Sequence, residues 1–259
     1  MEAVLSYLQS LAPGVWIAIA LAMLAGGFVK GVHGMGLPLV SVPILSSALP
    51  VQTAIAVTLL PILLTNFYQI RVGRDALPIV RRFAVLLVGL VVGILIGVYA
   101  LTNLAPDLVT AILGAVILGF VAIRIRAPDW RLTARGERLG ALPVGLTAGL
   151  VGGITSIYGT PIAIYLSALG LDRQTFVRAI GITFMTGIIP LYSALAAFDI
   201  LGLRETALSL IALVPVFVGY LIGERTRGRI SETAFQRGFT LLLAAIGLTL
   251  LYRGLGALL

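Results

Sequence analysis

One lysine and one histidine stand three residues apart in a long apolar stretch near the start of the sequence. Lys30 and His33 are the only residues of their types in the chain, and on a helix this spacing places them on one face. A charged side chain inside a bilayer costs about 2.5 to 3.5 kcal/mol on insertion scales, so Lys30 is a candidate for attracting an anion or exchanging a proton. The alternative is that its side chain reaches out to a membrane interface.

His33 brings the second titratable group to this stretch. The unperturbed pKa of a histidine, about 6.5, suits a proton-coupled step. The alternative is a hydrogen-bonded packing residue. No second histidine and no carboxylate lie near His33 in the sequence, so the prediction includes no metal site and no cofactor.

Two segments that combine glycine with proline, one in each half of the chain, could bind an anion without a basic side chain. Their candidate binding residues are Gly34, Gly36 and Pro38 in the first, and Thr155, Ser156, Tyr158, Gly159, Thr160 and Pro161 in the second. Proline removes a backbone donor and restricts the residue before it, which interrupts a helix. Helices that begin near Leu37 and Thr160 would offer free N–H groups and a positive dipole end to an anion. The alternative is that both segments only shape a packed break.

Further polar side chains accompany these segments. Arg178 follows Gln174 and Thr175 at the start of a long apolar stretch, and its planar guanidinium matches a carboxylate or a similar oxyanion. The alternative for Arg178 is an ordinary cytoplasmic anchor. Around the first segment, the candidates for an outer layer of the site are Ser41, Gln52, Thr53 and Asn66. Such side chains also join helices to one another within membranes.

The composition indicates a membrane protein. Hydrophobic residues make up 59% of the 259 positions and charged residues 11%, against roughly 25% charged in soluble domains. About eight hydrophobic units approach the length of about 20 residues that crosses a bilayer. They are continuous rather than alternating, so helices are expected instead of a barrel. Glycines spaced as Gly89, Gly93 and Gly97 are typical of close helix packing.

Other classes of protein fit less well. The chain has no cysteine, which excludes disulfides and thiolate chemistry, and Glu2 with a long apolar stretch does not resemble a cleavable signal peptide. The net charge of +8 comes from arginines in short loops, so no nucleic-acid partner is expected. The carboxylates flank the apolar stretches, and no paired acids, nucleophile elbow or phosphate loop occur, so an enzyme is not predicted.

The chain repeats itself once. Gly26, Gly36 and Pro38 coincide with Gly149, Gly159 and Pro161 at one constant offset. We therefore predict a first transmembrane repeat at 1–125, a basic cytoplasmic linker at 126–139 and a second repeat at 140–259. Each repeat is expected to contain one broken or re-entrant helix pair and three transmembrane helices, within an all-α integral membrane protein.

The arginines predict how the repeats face. If each broken segment returns to the side it entered, one face collects Arg71, Arg74, Arg81, Arg82, the arginines from Arg124 to Arg138, Arg173, Arg178, Arg225, Arg227, Arg229 and Arg237. The other face keeps Arg204 and Arg253. If each segment instead crosses straight through, the basic loop at 225–229 falls on the wrong side. The positive-inside tendency favours inverted repeats whose broken segments meet near the midplane, with both termini outside the cytoplasm.

The motif Gly34-x-Gly36-x-Pro38, followed by Val42-Pro43, and its counterpart from Gly152-Gly153 to Pro161 resemble the sulfite exporter TauE/SafE family. The likeness spans the whole chain. It implies a permease for sulfite, sulfonates or small organic acids in the bacterial inner membrane. Met35 and Leu37 in the first motif, and Tyr158 and Thr160 in the second, are bulkier than the glycines frequent in that family, which leaves the cargo open.

We therefore predict a secondary transporter that binds a small anion at the midplane between two broken helices and works by alternating access. The alternatives are an anion channel that uses the same site, and a TauE/SafE-like protein that imports another small anion. The partners expected are the anion and the lipid bilayer, with a homodimer left open. Direction and coupling ion also stay open.

Overall fold

The computed structural model describes residues 2–70, 77–126, 131–227, 229 and 231–257, and throughout these ranges the regular secondary structure is α-helical. The helices are α1 (Glu2–Ser10), α2 (Pro13–His33), α3 (Leu37–Leu45), α4 (Val51–Val57), α5 (Leu59–Ile70), α6 (Leu77–Arg82), α7 (Ala84–Asn103), α8 (Pro106–Arg126), α9 (Ala134–Thr155), α10 (Gly159–Ala168), α11 (Arg173–Ala197), α12 (Leu203–Ile211), α13 (Leu213–Thr226) and α14 (Glu232–Gly256). The predicted all-α class is confirmed.

Seven helical segments of the described chain are long and apolar enough to cross a membrane. They are Pro13–His33, Ala84–Asn103, Pro106–Arg126, Ala134–Thr155, Gln174–Ala197, Leu203–Thr226 and Gln236–Gly256. The sequence suggested about eight hydrophobic units; the difference lies in the run from 31 to 70, which is divided among α3, α4 and α5. Val51–Phe67 is apolar but shorter than a full span. The chain is a multi-pass membrane protein.

Contacts between helices divide the chain into two compact units. Unit 1 comprises Met1–Ile62, Leu104–Arg126 and Ala196–Leu259, and unit 2 comprises Leu63–Asn103 and Ala127–Leu195. Each unit takes segments from both halves of the sequence, so the division into sequential repeats stays a prediction. Helix α9 begins at Ala134, within the predicted linker. Residues 127–130 of that linker, like Arg71 and Arg74, lie outside the described residues.

Glycines bring α7 and α9 into backbone contact within unit 2. A Cβ on Gly89, Gly93 or Gly97 would overlap the backbone carbonyl oxygen of Leu142, Leu146 or Leu150, respectively. Because the contacts advance in the same order along both helices, α7 and α9 run parallel. The close packing predicted for these three glycines is confirmed, and any larger side chain would force the helices apart.

Two helix pairs organise unit 1. Gly27 and Gly31 of α2 face the backbone of Val216 and Tyr220 in α13, so this pair is also parallel. The contacts between α8 and α14 run in the opposite order: Gly114 faces Leu251, Gly247 faces Ile117, and Gly254 faces Ala111. The pair α8–α14 is therefore antiparallel.

Candidate functional site

The first break separates α2 from α3 and depends on two glycines. Gly34 ends α2 with φ 83°, and its N–H donates to the carbonyl oxygen of Lys30 at 2.6 Å. Gly36 precedes α3 with φ 101°. Residues with a Cβ rarely adopt such left-handed conformations, so the glycines allow the chain to turn sharply here. Pro38 follows in the first turn of α3, where its missing N–H costs no helical hydrogen bond.

Helix α3 then runs back along α2. The Ser41 hydroxyl donates to the carbonyl oxygen of Ala22 at 2.9 Å, and a Cβ on Gly26 would meet the Ser41 side chain and the Leu37 carbonyl oxygen. The N-terminus of α3 is therefore level with Gly26, within the length of α2. Ser41, predicted as an outer-layer residue, fastens the two arms of this hairpin together.

Lys30 and His33 lie in the last turn of α2, immediately before the break. Lys30 is only 3% exposed and His33 is half-buried. The Lys30 side chain is therefore covered by protein, and its position relative to a membrane interface stays a prediction. A buried ammonium group needs compensating polar surroundings, which favours the interpretation of Lys30 as a functional residue.

Arg227, at the end of a neighbouring helix, caps the C-terminal carbonyl oxygens of α2. It follows α13, and its guanidinium donates from Nε to the Val32 carbonyl oxygen at 2.8 Å and from Nη2 to that of Gly31 at 2.9 Å. The last carbonyls of a helix have no intrahelical donors, and a cation beside them is favourable. The sequence pattern identified Arg227 only as a cytoplasmic arginine and missed this contact.

In the second break, between α9 and α10, a side chain from the break itself forms hydrogen bonds with neighbouring backbone groups. Thr155 donates its hydroxyl to the Val151 carbonyl oxygen at 2.7 Å and accepts the N–H of Ile157 at 3.2 Å. Both hydrogen-bonding roles of this predicted binding residue are thus used within the protein. Thr155 supports the break with its single O–H donor and one acceptor position, and its predicted role in anion binding stays a prediction.

Ser156 combines two unfavourable features at the centre of the second break. It ends α9 in the left-handed conformation, with φ 64°, where a glycine would be the usual choice. Its Oγ is buried, with the residue 1% exposed, and no hydrogen-bond partner for it occurs among the described residues. A buried hydroxyl without a partner costs about 1 to 3 kcal/mol, so this position calls for an explanation.

Tyr158 forms a hydrogen bond within the protein through its hydroxyl, and its predicted role in anion binding stays a prediction. Its hydroxyl donates to the carbonyl oxygen of Phe184 in α11 at 3.0 Å, and the two rings lie 5.6 Å apart. A Cβ on Gly187 would overlap the Tyr158 ring, and one on Gly159 would overlap the Phe184 ring. Tyr158 therefore packs between α10 and α11. Phe184 and Gly187 were missed from sequence because nothing local marks a partner 26 residues away.

The base of this second hairpin is fastened by three contacts. The N–H of Leu132 donates to the Ala168 carbonyl oxygen at 2.8 Å, and the Tyr165 hydroxyl donates to the Glu137 carbonyl oxygen at 2.7 Å. Arg82 forms a two-pronged ion pair with the Glu137 carboxylate at 2.8 and 3.0 Å, which raises the pKa of Arg82 above its usual value. Helix α10 thus returns to the end of α9 at which that helix began.

The remaining predicted residues fall in three places. Thr160 and Pro161 lie half-buried in the first turn of α10, and Gln52 and Thr53 lie half-buried on α4. Asn66 is buried on α5 and belongs to unit 2, so its role beside the first break stays a prediction. Arg178 is half-buried on α11, six residues before Phe184, and within the described residues no hydrogen bond joins it to the second break.

The comparison with protein families adds a finding over nearly the whole chain. The model of the sulfite exporter TauE/SafE family matches residues 18–250, a range that includes both breaks and every span except the first turns of α2 and the end of α14. No curated protein and no solved structure matches the chain significantly. The match over most of the sequence means that this chain belongs to the sulfite exporter TauE/SafE family.

Proposed function

We propose that the chain is a secondary transporter that moves a small oxyanion, such as sulfite, a sulfonate or a small organic acid, across the bacterial inner membrane. From the repeated glycine–proline motifs of the sequence, the anion is expected at the helix breaks, where α3 and α10 begin. The first N–H groups of a helix lack intrahelical acceptors and carry the positive end of its dipole, so each helix start favours an anion. Membership of the family supports a sulfite-like cargo.

The observation that carries this proposal is the buried hydroxyl of Ser156. It lies three residues before the first residue of α10, and it has no partner among the described residues. A hydroxyl in this position can donate to an anion oxygen and so complete the set of backbone donors. The ligand would then offset both the buried hydroxyl and the left-handed backbone, which otherwise only destabilise the protein.

The helix directions support the inverted arrangement of the two repeats. If each broken segment crossed the membrane straight through, α8 and α14 would be separated by three crossings and would run parallel. If each segment returns to the side it entered, only two crossings separate them and they run antiparallel, as their glycine contacts do. The backward course of α3 along α2 and of α10 along α9 supports the same arrangement.

This arrangement leads to a mechanism in which the two repeats alternately open the anion site to either side. Lys30 supplies positive charge beside the first break, and at the second break Ser156 and the backbone donors of α10 bind the oxygens of the anion. The membrane potential favours exit of an anion from a negative cytoplasm by about 2.3 kcal/mol per charge per 100 mV and is a driving force for export. Proton coupling through His33 or Lys30 is the alternative.

A counterflow experiment tests the proposal. Proteoliposomes loaded with unlabelled sulfite should take up labelled sulfite transiently against its gradient, and the rate should saturate with concentration. Empty liposomes and an unrelated anion, chloride, serve as controls. Sulfite-dependent unitary currents without counterflow would indicate a channel instead, and no sulfite movement under either condition would contradict the proposed function.

A further inference from the structure

Arg227 makes contacts that an arginine placed only to orient the chain in a membrane does not need. Its side chain donates one hydrogen bond to each of two successive carbonyl oxygens, those of Gly31 and Val32, at 2.9 and 2.8 Å. The backbone of Arg227 is itself fixed, since its N–H donates to the Gly223 carbonyl oxygen at 3.0 Å. The guanidinium therefore joins the ends of α13 and α2 in a defined geometry.

The two helices that Arg227 joins are already packed as closely as their backbones allow. Gly31 has no room for a Cβ beside the carbonyl oxygen of Tyr220, and Gly223 has none beside that of Phe28. Helix packing alone therefore holds α2 and α13 together up to this level. The glycine contacts of α2 with α13 reach as far as Gly31, and Arg227 adds hydrogen bonds to the carbonyl oxygens of Gly31 and Val32 in the final turn of α2.

That final turn leads directly into the first break. It contains Lys30 and His33, and it is followed by Gly34 and Gly36 in left-handed conformations. Carbonyl oxygens at a helix C-terminus carry the negative end of the dipole, which repels an anion. A guanidinium that donates hydrogen bonds to two of these oxygens reduces that repulsion and adds a positive charge of its own.

We propose that Arg227 is a positioning residue for the anion site of the first break. It fixes the backbone between Lys30 and α3, and it screens the carbonyl end of α2 from the bound anion. This role rests on the proposed function and extends it to a residue outside both breaks. A lysine cannot replace it fully, because one ammonium group lacks the planar fork that reaches two adjacent carbonyl oxygens.

The first test compares Arg227 with a matched neighbour in proteoliposomes that transport sulfite. R227Q should raise the sulfite KM about tenfold, because the end of α2 is no longer held and its carbonyl oxygens are no longer screened, and should change the maximal rate much less. R227K should give an intermediate KM. The matched controls lie two residues earlier, on the exposed end of α13: R225Q removes the charge there and R225K keeps it. Both controls should retain the wild-type KM.

A second readout follows the backbone of the break and needs no transport. Because the chain contains no cysteine, Met35→Cys introduces a single thiol between the two left-handed glycines. In detergent, R227Q should accelerate alkylation of this thiol by iodoacetamide several-fold, and R225Q should not. Equal alkylation rates in the two backgrounds would show that Arg227 does not hold the break.

The outcomes separate the two proposals. If wild-type protein moves sulfite but R227Q keeps its KM, the role of Arg227 is overturned and the transport function stands. If wild-type protein moves no sulfite, the function fails, and the alkylation rates still decide whether Arg227 holds the break. If R227Q cannot be purified as a folded protein, R227K decides, and a wild-type KM in that variant overturns the role.

Discussion

The two breaks reverse the chain in the same way but are built from different chemistry. The first uses Gly34 and Gly36 for its left-handed backbone, is preceded by the buried ammonium group of Lys30, and has its carbonyl end capped by Arg227. The second contains no charged residue from Thr155 to Pro161. It uses Ser156 where the first uses Gly34, and a threonine hydroxyl for its local cap.

This difference teaches that a backbone reversal can be built on glycines, whose left-handed conformation costs little, as in the first break. The second break accepts two costs at Ser156, a left-handed non-glycine residue and a buried hydroxyl with no partner among the described residues. We infer a division between the two breaks: the first attracts an anion by its positive charge, and the second supplies a selective hydroxyl donor. The following predictions test that division.

The largest effect is expected at Lys30. Lys30→Ala should reduce sulfite flux in proteoliposomes to the level of empty liposomes, because the first break then loses its buried charge. The control Lys30→Met keeps the volume of the side chain and removes a charge that is costly to bury. This variant should therefore fold at least as stably as wild type. It should also fail to transport sulfite. Wild-type flux in either variant would remove Lys30 from the mechanism.

A smaller effect, with opposite signs for binding and stability, is expected at Ser156. Ser156→Gly should weaken sulfite binding about tenfold, since one hydrogen bond to a charged ligand is lost. The same change should stabilise the unliganded protein by about 1 kcal/mol, because glycine adopts the left-handed conformation freely. Sulfite titrations and thermal unfolding measure the two effects. A loss of both binding and stability would indicate a purely structural serine.

The reciprocal change, a serine in place of a glycine at the first break, should alter the stability of the protein but not its affinity for sulfite. Gly34→Ser places a serine in the equivalent left-handed position, which should destabilise the protein by about 1 kcal/mol. No gain in sulfite affinity is expected, since the first break attracts the anion by charge. Thermal unfolding and sulfite titration again provide the measurement. Unchanged stability would mean that the left-handed cost assigned to Ser156 is negligible as well.

The smallest effect is expected at Tyr158. Tyr158→Phe removes the hydrogen bond to the Phe184 carbonyl oxygen and should cost about 1 kcal/mol of stability. Sulfite affinity should stay within twofold of wild type, because this hydroxyl is already committed to the protein. A tenfold loss of affinity at unchanged stability would instead return Tyr158 to the binding site.

The sequence predicted the elements that depend on local pattern. Long apolar runs identified the spans, Gly89, Gly93 and Gly97 identified a close helix contact, and the glycine–proline motifs located the positions at which α2 and α9 end. Each of these features is encoded within a few turns of helix. The repeat, the inverted orientation and the shared anion site remain predictions.

The features that sequence did not show depend on contacts between distant segments. The partners of Arg227 lie almost 200 positions earlier in the chain, so its charge could be assigned to a membrane face but not to the end of α2. The partner of the Tyr158 hydroxyl, the Phe184 carbonyl oxygen, has no side-chain signature, so the sequence did not indicate this hydrogen bond. Ser156 was one of several hydroxyl residues until its burial and backbone conformation distinguished it.

The most direct test of the account is to locate the anion itself. Selenite has the pyramidal shape and oxygen donors of sulfite, and its selenium can be identified by anomalous scattering in crystals of the wild-type protein. The account predicts a selenium peak whose oxygens lie within hydrogen-bond distance of Ser156 Oγ and the first N–H groups of α10, and its loss in Ser156→Gly. A peak at another position, or none in crystals saturated with selenite, would contradict it.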